Sequence, residues 1–146
     1  MEVGTLLAGS RFMRKRTILI LDHVEIELME NILRVDESRS GSATIVSLSG
    51  RMDASSSPAA EAVLSRLIGS GERRIVVDMS DLDYISSAGL RVMLASLKRL
   101  REDGGQLLLA GLKPEIRNIF EIAGFQRIFS IYPSPEDAVS SFDARV

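Results

Sequence analysis

The residues from Arg74 to Leu97 constrain the fold more than any other part of this 146-residue chain. Within them, Ile75 to Val77 is a β-branched run of the kind found in strands buried on both faces. The polar stretch from Asp78 to Asp83 then indicates a turn, and the leucines after it recur at helical spacing. We therefore predict a buried strand, a turn and an amphipathic helix, with Ser86 and Ser87 where the helix begins.

The rest of the chain alternates predicted strands with predicted helices. This alternation indicates a single α/β domain, built on a mixed, mainly parallel sheet of four to five strands with about four helices. The first two strands should form a hairpin with a loose polar loop over Glu37–Ser42. These first two strands are predicted at Ile32–Val35 and Ala43–Leu48, and two more, after the strand at Ile75–Val77, at Gln106–Ala110 and Ile128–Ile131. Besides the helix that begins near Ser86, helices are predicted at Ala59–Ile68, from Pro114 onward and at Ala138–Phe142.

Several classes of chemistry lack the residues that they need. The chain has no cysteine, and its only histidine is His23, so thiolate catalysis, Cys-based metal sites and most catalytic triads are disfavoured. The net charge of −2 gives no reason to expect nucleic-acid binding. Four aspartates have no histidine or glutamate placed with them by the sequence. We therefore expect no catalytic residue, no metal site and no cofactor; the aspartates are Asp53, Asp78, Asp81 and Asp83.

The first 28 residues differ in character from the rest. A basic cluster over Arg11–Arg16 precedes the apolar run Ile18–Leu21, which is too short for a signal peptide or a membrane span. We predict that residues 1–28 are an N-terminal extension, either flexible or lying upstream of a true translation start at Met29; a short extra strand or helix is the third interpretation. The globular domain would then occupy residues 29–146.

Ser86 and Ser87 allow two interpretations. In the first, one hydroxyl caps the helix by accepting a hydrogen bond from a backbone N–H. In the second, one of the serines is a regulatory phosphoacceptor. A phosphate at this position would meet the positive end of the helix, so the fold should tolerate it. Its effect would then fall on a binding partner.

The helix that follows has a second informative face, opposite its predicted core stripe. Ala88, Val92, Ala95 and Arg99 group there on a helical wheel, and Arg91 flanks them. Small side chains would allow a partner to approach closely, although scattered apolar residues are also ordinary on a protein surface. The predicted core stripe comprises Leu90, Met93, Leu94, Leu97 and Leu100.

The stretch from Val77 to Leu94 resembles the signature of STAS domains, the anti-sigma factor antagonist family. Leu48–Asp53 and Phe120–Phe125 also resemble segments of that family. The likeness extends over about residues 30–142, which is nearly everything after the N-terminal segment.

The resemblance implies roles for particular residues. The family's phosphoacceptor precedes a Gly-Leu pair by two residues, which corresponds to Ser87, with Ser86 as the lesser candidate. Asp53 corresponds to an acidic position that the family places near the phosphoserine. Ser86 and Ala88 stand where family members often have Asp and Ser or Thr. The partner-binding residues that we predict are Asp53, Ser86, Ser87, Ala88, Arg91, Val92, Ala95 and Arg99.

The resemblance also implies a cytoplasmic, non-catalytic regulator that works by partner switching. The unphosphorylated protein would bind an anti-sigma factor that is also a serine kinase. Phosphorylation of Ser87 would break that complex, and a PP2C-type phosphatase would restore it. The alternative is a STAS module that signals or binds a ligand without sigma-factor control or without phosphorylation. The sequence indicates no direct contact with nucleic acid or membrane, and it leaves homodimerisation open.

Overall fold

The computed structural model describes residues 32–143. Strands and helices alternate along them as predicted, which confirms the α/β fold class. The N-terminal extension predicted at 1–28, with His23 and the basic cluster, lies outside the described residues. The elements are β1 Leu33–Ser40, β2 Ala43–Met52, α1 Ser57–Gly69, β3 Arg74–Ile85, α2 Ser87–Glu102, β4 Gln106–Ala110, α3 Pro114–Ile122, a 3₁₀ turn Phe125–Arg127, β5 Ser130–Tyr132 and α4 Pro135–Asp143.

The five strands form one sheet in the order β1-β2-β3-β4-β5. β1 is antiparallel to β2, and every later neighbour is parallel. Each crossover moves one strand in the same direction, so right-handed connections place α1, α2 and α3 on the same face of the sheet. Their apolar sides cover alternate strand residues such as Val77 and Leu109. α4 covers the opposite face, where Phe142 packs with Val76 and Leu108.

The loose hairpin loop predicted over Glu37–Ser42 is wrong. β1 continues to Ser40, and only Gly41 and Ser42 make the turn. Gly41 has φ +62°, a left-handed conformation that tight hairpin turns require and that glycine adopts without strain. The polar residues of this stretch lie on an edge strand, where exposed charges discourage pairing with other chains.

The turn predicted at Asp78–Asp83 is also wrong, because β3 runs on to Ile85. β3 carries one extra residue relative to β2 at each of two register shifts, one after Asp78 and one after Leu82. At the first shift, the Ser80 N–H and hydroxyl donate to Asp78 Oδ1 at 3.0 and 2.6 Å. The local hydrogen bonding that suggested a turn therefore stabilises an irregularity within a continuous strand.

The C-terminal elements follow the sequence pattern closely. α4 begins at Pro135, and the Asp137 N–H donates to Ser134 Oγ at 3.1 Å, which confirms the predicted cap. β5 is shifted slightly, because Ile128 belongs to the end of the 3₁₀ turn. Across residues 32–143, every helix is too short or too polar to cross a membrane.

Candidate functional site

The candidate site lies where β2 and β3 end side by side. These strands are parallel, so their carboxyl ends meet at the same edge of the sheet. The Ser86 N–H donates to the Met52 carbonyl oxygen at 2.8 Å, which joins the residue after β3 to the last residue of β2. Asp53 and Ser87 therefore each come directly after one of two residues, Met52 and Ser86, that are hydrogen-bonded to each other.

The structure gives the two serines of the site different roles. Ser86 is the N-cap of α2: its backbone is extended (φ −93°, ψ 175°), and its Oγ accepts a hydrogen bond from the Gly89 N–H at 3.2 Å. Ser87 is the first residue of the helix, and its side chain is exposed. The capping interpretation therefore applies to Ser86 and leaves the Ser87 hydroxyl accessible to solvent.

Gly89 fixes α2 tightly against the strand ends. A Cβ at this position would lie 2.7 Å from Ile85 Cγ1 and 3.0 Å from Met52 Cγ, which is closer than side-chain carbons pack. Only glycine permits the first turn of the helix to approach β2 and β3 this closely. The position of Ser87 is therefore set by the packing of buried side chains beneath it.

Asp53 organises the loop that leads into α1. Its Oδ1 accepts hydrogen bonds from the Ser55 and Ser56 N–H groups, both at 3.0 Å, and from the Ser55 hydroxyl at 2.9 Å. These bonds, that from the Ser55 hydroxyl above all, lower the pKa of Asp53 below its ordinary value of 3.8. Ser56 completes the loop by donating to the Arg51 carbonyl at 2.8 Å. Asp53 thus places a fixed negative charge beside the end of β3.

The prediction that Val92 lies on a solvated face of α2 is wrong. Val92 is only 8% exposed and belongs to the main core. α1 and α2 pack against each other, and Arg99 Nη2 lies 3.5 Å from the position of a Cβ on Gly69 of α1. Val92 and Arg99 therefore lie on the side of α2 that is turned toward α1, whereas Ala88 is half-buried and Ala95 is exposed.

A different stripe of α2 faces solvent, and sequence reasoning missed it. Ser87, Arg91 and Lys98 are exposed, at spacings of four and seven residues, and Leu94 between them is half-buried and packs against the edge of the main core, as predicted. Leu90, which was also predicted for the core, is half-buried beside this stripe. The signal was present in the sequence, because counting in helical steps from Ser87 finds all four residues. We call Ser87, Arg91, Leu94 and Lys98 the Ser87 stripe.

Two of the remaining aspartates, Asp78 and Asp83, serve local structure. Asp78 accepts the hydrogen bonds at the first irregularity of β3. Asp83 pairs with Lys113, the residue before α3, and this hydrogen bond is the main reason that the pKa of Lys113 is raised. Across residues 32–143, His, Cys, Asp and Glu form no group of three or more that could hold a metal ion.

Comparison with known proteins assigns the family. The STAS domain family model matches residues 34–138, which include all five strands from Arg34 onward and the whole candidate site. The chain belongs to the STAS domain family. The five-stranded mixed sheet and the four helices are thus those of a STAS domain.

Relatives with this domain include anti-sigma factor antagonists. The chain is 46% identical over 98 residues to BtrV of Bordetella bronchiseptica, which carries the provisional name of an anti-sigma factor antagonist; the match covers 67% of this chain and 84% of BtrV. The anti-sigma-B factor antagonist of Staphylococcus aureus is 29% identical over 91 residues, covering 62% of this chain and 84% of that protein.

A solved structure confirms the STAS fold independently. The crystal structure of an anti-sigma factor antagonist from Mycobacterium paratuberculosis superposes with a TM-score of 0.70 at 23% identity. The superposition covers 75% of this chain and 92% of that one. At this level of identity the likeness concerns the fold alone.

Proposed function

We propose that this STAS protein is an anti-sigma factor antagonist that acts by partner switching and catalyses no reaction itself. In its unphosphorylated form it binds an anti-sigma factor that is also a serine kinase, and so releases the sigma factor. The kinase then transfers the γ-phosphoryl group of ATP to Ser87 Oγ, with release of ADP and of the hydroxyl proton, and the complex separates. A PP2C-type phosphatase hydrolyses the Oγ–P bond and restores the binding form.

The observation that supports this proposal most is that Ser86 caps α2 while the Ser87 side chain is exposed. Because Ser86 caps α2, a phosphoryl group on Ser87 would not remove the cap hydrogen bond. Phosphate adds up to about two negative charges. At the first residue of a helix these charges meet free N–H groups and the positive end of the dipole. Phosphorylation should therefore change the surface that a partner meets while it leaves the fold intact.

The proposed footprint of the partner includes Asp53, Ser86, Ser87 and Arg91, which are at least partly accessible around the strand ends and the first turns of α2. Ala88, Ala95 and Arg99 remain in the proposed footprint, nearer to α1. Val92 no longer belongs to it, because its side chain is buried. Ser86 is a poorer phosphoacceptor than Ser87, because its Oγ already accepts the hydrogen bond from the Gly89 N–H.

The domain boundary and the location of the protein are part of the proposal. We place the STAS unit at residues 29–146, which is supported by the start of β1 at Leu33, and we place the extension at 1–28. Since the proposed partners act on transcription and use ATP, the site of action would be the cytoplasm.

The binding experiment compares three forms of the full chain immobilised on separate columns: wild type, Ser87→Ala and Ser87→Glu. Each column is exposed to extract from the native cells, and the retained proteins are identified by mass spectrometry. We expect wild type and Ser87→Ala to retain a protein with a serine-kinase domain and Ser87→Glu to lose it. Circular dichroism of the three forms should be indistinguishable.

The alternative function predicts a different result. Ser86 and Ala88 replace the Asp and the Ser or Thr that often flank the acceptor in the family, which favours a STAS module that acts without phosphorylation. In that case Ser87→Glu would retain the same proteins as wild type. Equal retention would therefore contradict the antagonist mechanism.

A further inference from the structure

Arg91 lies one helical turn after Ser87 on the Ser87 stripe. Its side chain is exposed, and none of the ion pairs found among residues 32–143 includes it. The first turn of α2 contains no acidic residue. Arg91 therefore presents a cation one helical turn from Ser87, and the first turn of α2 holds no carboxylate that would neutralise it.

Helix geometry directs Arg91 toward Ser87. Side chains on an α-helix lean toward its N-terminus, so the long Arg91 side chain can reach back over the turn that holds Ser87. Residues at positions i and i+4 are neighbours on the helix surface, and an anion that precedes a cation is the favourable order. Guanidinium groups also bind phosphate through two parallel hydrogen bonds.

Of the other basic side chains around the site, Lys98 lies on the Ser87 stripe but three turns beyond Ser87, and four more lie off the stripe. Arg99 lies on the side of α2 that faces α1, beside Gly69. Three more bind groups on neighbouring elements, and none of the three is on the Ser87 stripe. These contacts join Arg51 to the Tyr84 ring, Arg101 to the Ile128 carbonyl and Lys113 to the Asp83 carboxylate.

We propose that Arg91 holds the phosphoryl group of phosphorylated Ser87 as an intrahelical ion pair. Phosphorylation then changes the partner surface twice, because it adds negative charge and also withdraws the guanidinium of Arg91 from the Ser87 stripe. The inference rests on the proposed function in that Ser87 is the acceptor. The Oγ–P bond is formed by the kinase and ATP as described above, and the ion pair needs no further covalent step.

The test measures the phosphate directly and needs no partner protein. The full chain is prepared with phosphoserine incorporated at position 87, and the second pKa of the phosphate is followed by ³¹P NMR. We expect Arg91→Gln to raise that pKa by about 0.2 to 0.4, because the ion pair favours the dianion. Arg99→Gln removes the same charge from the α1 side of the helix and should leave the pKa unchanged.

The other charged groups at this edge of the sheet are the same in all three proteins. Asp53 follows β2, Asp83 lies near the end of β3, and Lys113 follows β4. Any difference between Arg91→Gln and Arg99→Gln therefore reports the position of the lost charge. Equal pKa values in wild type and Arg91→Gln, or equal shifts in both variants, would overturn the proposal.

A second measurement observes Arg91 itself. The Nε–H resonance of Arg91 should move when serine 87 is replaced by phosphoserine, while that of Arg99 should not. An unmoved Arg91 resonance would also overturn the ion pair. Both readouts are independent of the partner-binding experiment, so failure of the ion pair and failure of the partner switch can be distinguished.

Discussion

Ser86 stabilises α2 through the hydrogen bond from the Gly89 N–H to its hydroxyl. Replacing a serine cap by alanine typically lowers the free energy of unfolding by about 1 kcal/mol. We expect that loss for Ser86→Ala in urea unfolding. Ser87→Ala, at the adjacent exposed position, should change stability by less than about 0.5 kcal/mol. Equal stability losses in the two variants would show that the cap assignment is wrong.

Gly89 allows the close approach of α2 to the strand ends beneath it. The Cβ of Gly89→Ala would crowd Ile85 and Met52, and overpacking of this kind costs about 1–3 kcal/mol. Gly69→Ala is the matched control, because its Cβ would make an ordinary contact of 3.5 Å with Arg99. Thermal unfolding should show a lower midpoint for Gly89→Ala and an unchanged or higher one for Gly69→Ala. The reverse order would contradict the close packing of Gly89 against Ile85 and Met52.

Ser86 and Ser87 show how far the role of a single residue can be predicted from the sequence. The sequence located Ser86 and Ser87 at a helix start, and it offered both capping and phosphorylation as interpretations. It could not assign the cap, because either serine can adopt the extended backbone of an N-cap. The structure decides this through the hydrogen bond that Ser86 alone makes with Gly89.

The loop between β2 and α1 depends on the charge of Asp53. Its pKa is lowered in the folded protein, so the folded state holds the proton more weakly than the unfolded state does. The stability that Asp53 contributes is therefore present above the unfolded pKa and is lost as the pH falls through the lower folded pKa. Asp53→Asn keeps an oxygen that accepts from Ser55 and Ser56 but does not titrate.

We accordingly expect wild type to lose more stability than Asp53→Asn between about pH 5 and about pH 2. Urea unfolding at a series of pH values measures this difference. Parallel curves for the two proteins would mean that the hydrogen bonds to Asp53 do not hold in solution.

Two elements show why local patterns misled the prediction. Asp78 and Ser80 have the composition of a turn, but parallel pairing with β2 carries β3 past them to Ile85. On α2, the helical wheel identified the stripe that packs on the core, but it could not show which of the other sides would meet α1. Val92 is buried because α1 packs against that side, and Leu94 is half-exposed because it lies away from it.

For the molecule as a whole, the order of strands and helices was enough to predict the architecture. Right-handed connections between neighbouring parallel strands place α1 to α3 together, and this follows from chirality rather than from particular residues. The position of α4 on the opposite face was not predicted. It depends on apolar residues such as Val76 and Leu108, which point away from the first three helices.

Partner switching requires that Ser87 carries a reversible phosphate, and intact-mass analysis with peptide mapping tests this requirement most directly. The protein is isolated from its native cells under growth and stress conditions and is analysed with and without phosphatase treatment. We predict one phosphate on the peptide that contains Ser87, removed by the phosphatase, and the same spectrum shows whether the chain begins at Met1 or Met29. Absence of phosphate on this peptide under every condition would contradict the partner switch.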